Sequence, residues 1–560
     1  MGTLRSFPAL VIVLLGIMGT VQVLSIRQET QTWDEGFDLA GGYSYWKTGD
    51  FRINREHPPL GKYINALPLL FMNPTLPLDD PSWARTDNVN FGVRFLYYNR
   101  IPADTLLFWA RLMTILLTLA LGLALAWWAR KRFGAGAALF ALLLFAFDPN
   151  LIAHGRYVTS DMVVTLFSFL ACITWGEYLL TNSRKYLILA GLTFGLAIVS
   201  KFSAFFLIPV YALLFGIGWL QRRREFSVRR LVRSSAAVAA IAALVVVIVY
   251  APEARLLIPG NWDPSAPSLR SAVDQRTMYG RVVAWAGSHL GLRAHSFPVA
   301  VGMVFAHNDM GHTAYLMGQH SQMGWWYFFP VTFAVKTPTA VLLALLLFLI
   351  LFPFVRPRPL PFEWYVLIVP IVVYFGFSMT SHINIGVRHL LPIYPFLYVL
   401  LAAGLVRWKR SALWAIGILL VAESLAIYPH YLAFFNWPSG GPGNGPKYLV
   451  DSNIDWGQDV LKLKRYMAEH NIPKIWVCYF GRAEMWYYGL NAAMLPVESK
   501  LGDTSQFDGV VAISATPLMG VYVPLEDYAW LRALKPDAKI GYSIYLYDLR
   551  KKTRSTPATK

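Results

Sequence analysis

A chain in which stretches of about 20 apolar residues recur from end to end cannot hide them all in one water-soluble core. Here about 11 such stretches follow one another, at roughly 7–26, 106–129, 136–152, 161–181, 186–200, 202–220, 234–252, 331–355, 363–379, 389–406 and 411–429. About 20 helical residues cross a hydrocarbon layer of ~30 Å, so the runs predict an all-α polytopic membrane protein with about 11 transmembrane helices. Composition agrees, because 56% of the 560 residues are hydrophobic and only 15% charged, where soluble domains carry about 25% charge. The first run follows Arg5 and lacks a small-x-small cleavage site, so it reads as an uncleaved helix and not as a signal peptide. Cys172 and Cys478 are too few for a disulfide scaffold or a cysteine metal cluster, and both lie in runs that predict burial.

The net charge of +18 raises the question of a nucleic-acid partner. Position answers it. Arg130, Lys131 and Arg132, Arg184 and Lys185, the cluster from Arg222 to Arg233, Arg356 and Arg358, and Arg407, Lys409 and Arg410 all fall on short loops. Such loops face the cytoplasm by the positive-inside rule, so the excess reports topology and predicts no nucleic-acid partner. The fifth and sixth runs are short, but basic residues flank the pair on both sides, so the chain crosses twice there and leaves Lys201 at an outer turn. The long segments 27–105, 253–330 and 431–560 then lie outside. Residues 1–430 read as the membrane domain. Residues 431–560 read as a small extracytoplasmic α/β domain behind a Gly/Pro-rich linker, with elements near 456–470, 474–480, 509–514, 527–534 and 540–549.

The first outer loop carries Trp33-Asp34-Glu35-Gly36-Phe37, then Thr48-Gly49-Asp50, then Glu56-His57-Pro-Pro-Leu-Gly-Lys62. An acidic pair just after a membrane helix lies near the water–lipid boundary. A carboxylate there stays ionised yet faces a partly desolvated cleft, which suits a general base; solvated loop acids give the same pattern. In His154-Gly-Arg156-Tyr-Val-Thr-Ser-Asp161, Thr159 or Ser160 can cap the following helix, with Asp161 favouring its dipole. Lys336 and Arg388 stand at the outer mouths of two helices. Snorkelling to headgroups accounts for them, as does an anionic ligand, since basic residues are otherwise depleted on that face. Arg111 is open to both readings. The His307, Asn308, Asp309, His312 and His320 group is too loosely spaced to specify a metal, and Trp325 to Phe329 reads as an interfacial belt. Asp451-Ser-Asn453-Ile-Asp455-Trp-Gly457 begins like a calcium loop but has Trp456 and Lys462 where glycine and glutamate are required. Asp455 or Ser452 is the expected cap of the helix that follows.

Asp34-Glu35 after the first helix, followed by His57-Pro-Pro-Leu-Gly-Lys62, resembles the protein O-mannosyltransferases and the lipid A aminoarabinose transferases, both of C-type glycosyltransferase fold. The resemblance spans roughly 1–430 and is sharpest over 30–65. It implies inverting transfer of a hexosyl or pentosyl group from a polyprenyl-phosphate donor to a protein, lipid or glycan hydroxyl. Separately, the short, compact loops and the lack of long insertions suggest a bacterial inner membrane, with the periplasm as the outer face. Asp34 matches the catalytic base and Glu35 its neighbour, with Asp161 at the second acidic position. His57, Lys62, Lys336 and Arg388 are the candidate donor-phosphate ligands, and Glu56 with His57 the candidate ligands of an optional divalent cation. His57 stands where the aminoarabinose transferases have lysine. The rival readings are a secondary transporter or flippase and a non-catalytic scaffold. A transporter would place ionisable residues near mid-membrane, where only Glu423 qualifies.

Overall fold

The computed structural model describes residues 2–221, 227–254, 281, 296–495 and 509–552. The basic residues Arg222 to Arg224 and most of the segment 253–330 lie outside the described residues.

Each predicted apolar run coincides with a helix: Gly2–Ile26, Ala103–Phe133, Ala135–Ala146, Asp161–Thr181, Arg184–Ile198, Leu207–Gln221, Val228–Ala254, Thr339–Val355, Phe362–Ser378, Tyr394–Leu405 and Arg410–Ile427. Among the described residues, seven helical stretches are long and apolar enough to cross a bilayer on their own, and an eighth is a pair broken by a bend of 110°. The chain is an integral membrane protein. The bend lies between Phe328–Lys336 and Thr339–Val355, where Pro338 cannot donate a backbone N–H and keeps Thr337 extended. Glu423 accepts hydrogen bonds from the first two backbone N–H groups after that bend, those of Thr339 and Ala340, at 3.1 and 3.2 Å. The one acidic residue deep in a late span is therefore a helix cap that offsets a neighbour's dipole.

Asp161–Thr181 is the most enclosed of the seven candidate spans. Beside it, Gly191 and Gly195 let Arg184–Ile198 approach Val228–Ala254: a Cβ on either would stand 2.8 Å from Ile241 or Val245. Cys172 is buried in this bundle and Cys478 in the C-terminal sheet, both as free thiols.

The first outer loop folds into the helices Glu35–Thr48, Leu60–Met72 and Asn88–Tyr97. The first two cross so closely at Gly42 that a Cβ there would collide with the Lys62 carbonyl. A short hairpin, Ala314–Leu316 with Gln319–Ser321, precedes the broken span. Beyond the last span a mixed five-stranded sheet runs in the order Ala492–Met494, Ile475–Cys478, Val510–Ser514, Ile544–Asp548, Ala538–Ile540. Its first three strands are parallel, with Ile475 opposite Val510, and its last two pairings antiparallel, with Val510 opposite Asp548. The helix expected from 456 begins only at Val460, because Gly457 takes φ +94 and the chain turns there. Neither Asp455 nor Ser452 caps it. Asp459 occupies the cap position and Asp455 accepts instead from the backbone N–H of Thr516.

This C-terminal unit grips the first outer loop through its backbone. Thr30 N–H donates to Gln458 O at 3.0 Å and Trp33 N–H to Trp456 O at 2.9 Å, while the Thr30 hydroxyl donates to Gly457 O at 2.8 Å. The loop before Asp34 is thereby fixed from the side opposite the membrane helices. Of the aromatic run, Phe328 and Phe329 are core residues and only Trp326 is largely exposed, so the belt reading holds for a single ring.

Candidate active site

Asp34 sits at the N-cap of Glu35–Thr48 with no side-chain bond to that helix, which leaves its carboxylate free to face outward. Arg388 Nη1 donates to its Oδ2 at 2.9 Å, and about 20% of the side chain is exposed. Burial pushes the Asp34 carboxyl above its ordinary value, with Asp451 and Asp161 adding to the rise and Arg388 opposing it. A carboxylate made more basic and still reachable is what proton abstraction needs.

Asp161 is the first residue of its helix, and Ser160 precedes it without a capping bond. Its Oδ1 accepts from Lys201 Nζ at 2.5 Å, and its Oδ2 lies 3.8 Å from Arg388 Nη1. Arg388 thus stands between Asp34 and Asp161, lies over the Trp456 ring at 4.5 Å, and keeps a buried Nε with no partner among the described residues. Lys201 completes the cationic wall. It was legible only as an outer-turn lysine, yet the argument that singled out Lys336 and Arg388, positive charge where topology disfavours it, applies equally to Lys201.

Three expected site residues are placed elsewhere. Glu35 is fully buried and receives four hydrogen bonds: from Arg111 Nε at 2.8 Å and Nη2 at 2.6 Å, from Thr32 N–H at 2.8 Å and from Val158 N–H at 3.0 Å. Burial alone would raise its pKa, but Arg111 and the two amides hold it below the ordinary value. It clamps Arg111 and the two amides inside the fold. Arg111 is its partner, its other donors going to the carbonyls of Ile26, Glu29 and Thr30. Lys62 is buried, donating to the carbonyls of Asn54 and of His57, the latter at 2.9 Å, with Asp38 4.0 Å away. Burial moves both members of that pair toward neutrality, Asp38 up and Lys62 down. Lys336 is buried at the bend and donates to Leu432 O at 3.0 Å and Asn453 O at 2.6 Å. Backbone carbonyls hold both lysines inside the fold, so neither faces a phosphate.

His57 lies in the field of Lys201, Arg388 and Lys62. Burial and those cations push its imidazole down to about 4, with Glu56 opposing, so it is neutral near pH 7. Glu56 is taken up by His307, whose Nδ1 lies 2.6 Å from Glu56 Oε1. Burial raises the Glu56 carboxyl, but His307, His57 and His312 bring it to about 2. From His307 a chain of bonds runs on, Nε2 to His312 Nδ1 at 3.0 Å and His312 Nε2 to the Tyr522 hydroxyl at 2.9 Å. It ends where Tyr522 donates to Asp451 Oδ2 at 2.6 Å. These groups face one another in line and do not converge on a common point, and among the described residues no three His, Cys, Asp or Glu side chains are placed to hold a metal ion. His320 lies apart, bonded to Met519 O.

Sequence reasoning missed Asp451 and Tyr522 as neighbours of the cleft. Asp451 was weighed only as a calcium ligand, and Tyr522 carries no motif. Their signal is conformational: both adopt positive φ, +58 and +65, a region a bulky side chain seldom occupies without a compensating contact.

Residues 103–251 match the family described as dolichyl-phosphate-mannose-protein mannosyltransferase. No curated protein sequence matches the chain. Among solved structures, the ArnT protein of Cupriavidus metallidurans bound to undecaprenyl phosphate aligns over 96% of this chain and 97% of its own, at 13% identity and a TM-score of 0.49. An Archaeoglobus fulgidus oligosaccharyltransferase aligns over 93% of this chain and 72% of its own, at 12% identity and a TM-score of 0.45. The family match includes Arg111, Asp161 and Lys201, so the likeness to the dolichyl-phosphate-mannose-protein mannosyltransferases lies in the helices that build one wall of the cleft.

Proposed function

We propose that the chain is a membrane glycosyltransferase that moves a sugar from a polyprenyl-phosphate donor to an acceptor hydroxyl. The observation that carries this reading is the juxtaposition of Asp34, a partly exposed carboxylate made more basic by burial, with Arg388 and Lys201 held against Asp161. Asp34 takes the proton of the acceptor hydroxyl as its oxygen attacks the anomeric carbon. The bond from that carbon to the donor phosphate breaks, its electron pair stays on the phosphate oxygen, and the configuration inverts. Arg388 and Lys201 stabilise the charge that builds there, and neutral His57 offers an N–H at the same wall. Asp161 positions the two cations. Phosphate is a good leaving group, so no general acid is needed.

The residues implied for a divalent cation do not fit one: Glu56 is engaged by His307, and His57 stands with it but without a third ligand among the described residues. No step is routed through a metal. The short basic loops support a cleft on the non-cytoplasmic face, which this reading takes as the periplasmic side of a bacterial inner membrane, with a hexosyl or pentosyl group as the transferred unit. A prenyl chain costs about 0.8 kcal/mol per CH₂ to withdraw from lipid, which is the reason for a membrane-embedded enzyme.

The test is purified protein offered a panel of polyprenyl-phosphate hexoses and pentoses, with products identified by mass spectrometry. Glycosyl transfer or slow donor hydrolysis from at least one donor is expected. Neither activity across the panel, from protein shown to bind polyprenyl phosphate, contradicts the reading.

A further inference from the structure

Two separate lines of contact leave Tyr522 of the C-terminal unit. Its hydroxyl bonds His312, which continues through His307 to Glu56 on the first outer loop, and it also bonds Asp451, whose charge acts on Asp34 and Arg388. Its ring stacks on Phe480 with centroids 5.4 Å apart and planes at 15°. Phe480 stacks in turn on Trp33 at 4.8 Å, and the Arg482 guanidinium lies over the Trp33 ring at 3.8 Å. Trp33 is the residue before Asp34. One side chain of the C-terminal unit is therefore linked through Phe480 to Trp33, the neighbour of Asp34, and through His312 and His307 to Glu56. It does so with φ +65, and its partner Asp451 with φ +58. A tyrosine and an aspartate held in that region and bonded to each other are kept there by what they contact.

We propose that Tyr522 is a positioning residue for transfer: by bonding His312 and Asp451 while stacking on Phe480, it fixes the Asp34 loop and the Glu56 turn relative to each other. The inference rests on the reading of Asp34 as the base. It gives the C-terminal unit a part in the reaction, because the cleft is then framed from both sides, by membrane helices carrying Lys201 and Arg388 and by a sheet domain carrying Tyr522. About 44% of the Tyr522 surface is exposed, so the residue lies at the rim, where an acceptor passes.

Tyr522→Phe keeps the ring and its stack and removes both hydroxyl bonds. With the donor active in the panel, its kcat is expected to fall about ten- to a hundredfold, as small misplacements of reacting groups do. KM for the polyprenyl-phosphate donor and the melting temperature stay unchanged. Because Tyr522 acts through His312, adding His312→Leu to Tyr522→Phe brings little further loss, whereas independent residues would multiply their effects. Tyr522→Leu, which also removes the stack, falls further still. A Tyr522→Phe enzyme with unaltered kcat overturns the proposal, whether or not its melting temperature drops, and so do single losses that multiply. Asp34→Asn in the same assay separates the two readings. Activity in that variant defeats the assignment of the base, whereas an inactive Asp34→Asn beside a fully active Tyr522→Phe defeats only the positioning role.

Discussion

Asp34 accepts from Arg388 and keeps about 20% of its side chain in contact with solvent, while Glu35, one residue on, is sealed from solvent and takes four donors. The same division runs through the cations. Lys336 spends its ammonium on two backbone carbonyls, whereas Arg388 is shared between two carboxylates and retains an unpartnered buried Nε. A charged group whose hydrogen-bonding capacity is saturated inside the protein has nothing left to offer a substrate, and its removal is felt as lost stability. A charged group left with capacity at a cleft is felt as lost activity. The molecule places the two kinds side by side: a clamp of Glu35 and Arg111 and, next to it, the cluster of Asp34, Asp161, Lys201 and Arg388.

The contrast is broken most strongly at the clamp. Arg111→Met leaves Glu35 buried without its counter-ion, and removing one partner of such a pair costs about 3–5 kcal/mol. A large fall in melting temperature and in folded yield is expected, with donor KM unchanged in whatever remains folded. An Arg111→Met protein of normal stability would mean that the clamp is not what holds the loop. Next in size is Arg388→Ala, expected to lower kcat about 10²–10³-fold, as for other donors that stabilise developing charge, with the melting temperature little changed. Lys336→Met should do the reverse, shifting the melting curve and not kcat; if the two lysine and arginine phenotypes coincide, the division between saturated and available cations fails.

The smallest effect is on pH dependence. The Asp34 pKa is raised, so the base is protonated and transfer is lost as pH falls through a value above the ordinary 3.8. Arg388 holds that value down, so Arg388→Gln should move the acid limb of kcat to higher pH. Glu35 behaves oppositely. Its folded pKa lies below 4.5, so its contribution to stability is present above the unfolded value and disappears only as pH falls through the lowered folded one. In mildly acidic buffer the protein should therefore lose transfer while staying folded, a separation visible by following activity and circular dichroism in the same titration.

The positions of the helices were legible because bilayer thickness imposes a length on every apolar run, and the tail sheet because its strands are short β-rich stretches between turns. Arg388 drew attention from sidedness, since positive charge at the outer mouth of a helix needs a reason, and Asp161 from the family resemblance. Glu35 and Lys62 were expected from the family resemblance and Lys336 from its place at a helix mouth, and the structure ties all three to groups inside the fold. Their type and depth matched the expectation, but Glu35 finds Arg111 76 positions away and Lys336 finds Leu432 96 positions away, and no local pattern announces such a partner. Lys201 was seen and given no task because its partner Asp161 is 40 residues upstream. Tyr522 and Asp451 depend on closure between the hairpin region and the C-terminal unit, a contact spanning 210 residues from His312.

If the two neighbouring acids have separate tasks, Asp34→Asn and Glu35→Gln fail in different ways. Transfer from the active polyprenyl-phosphate donor and the melting temperature are followed for both purified variants. The prediction is that Asp34→Asn melts like the parent protein and loses transfer by about 10²–10⁴-fold, the usual worth of a general base. Glu35→Gln melts markedly lower, yet transfers at near-parent rates per folded molecule. Substantial transfer by Asp34→Asn, or a fully stable Glu35→Gln that has lost catalysis, would contradict the account.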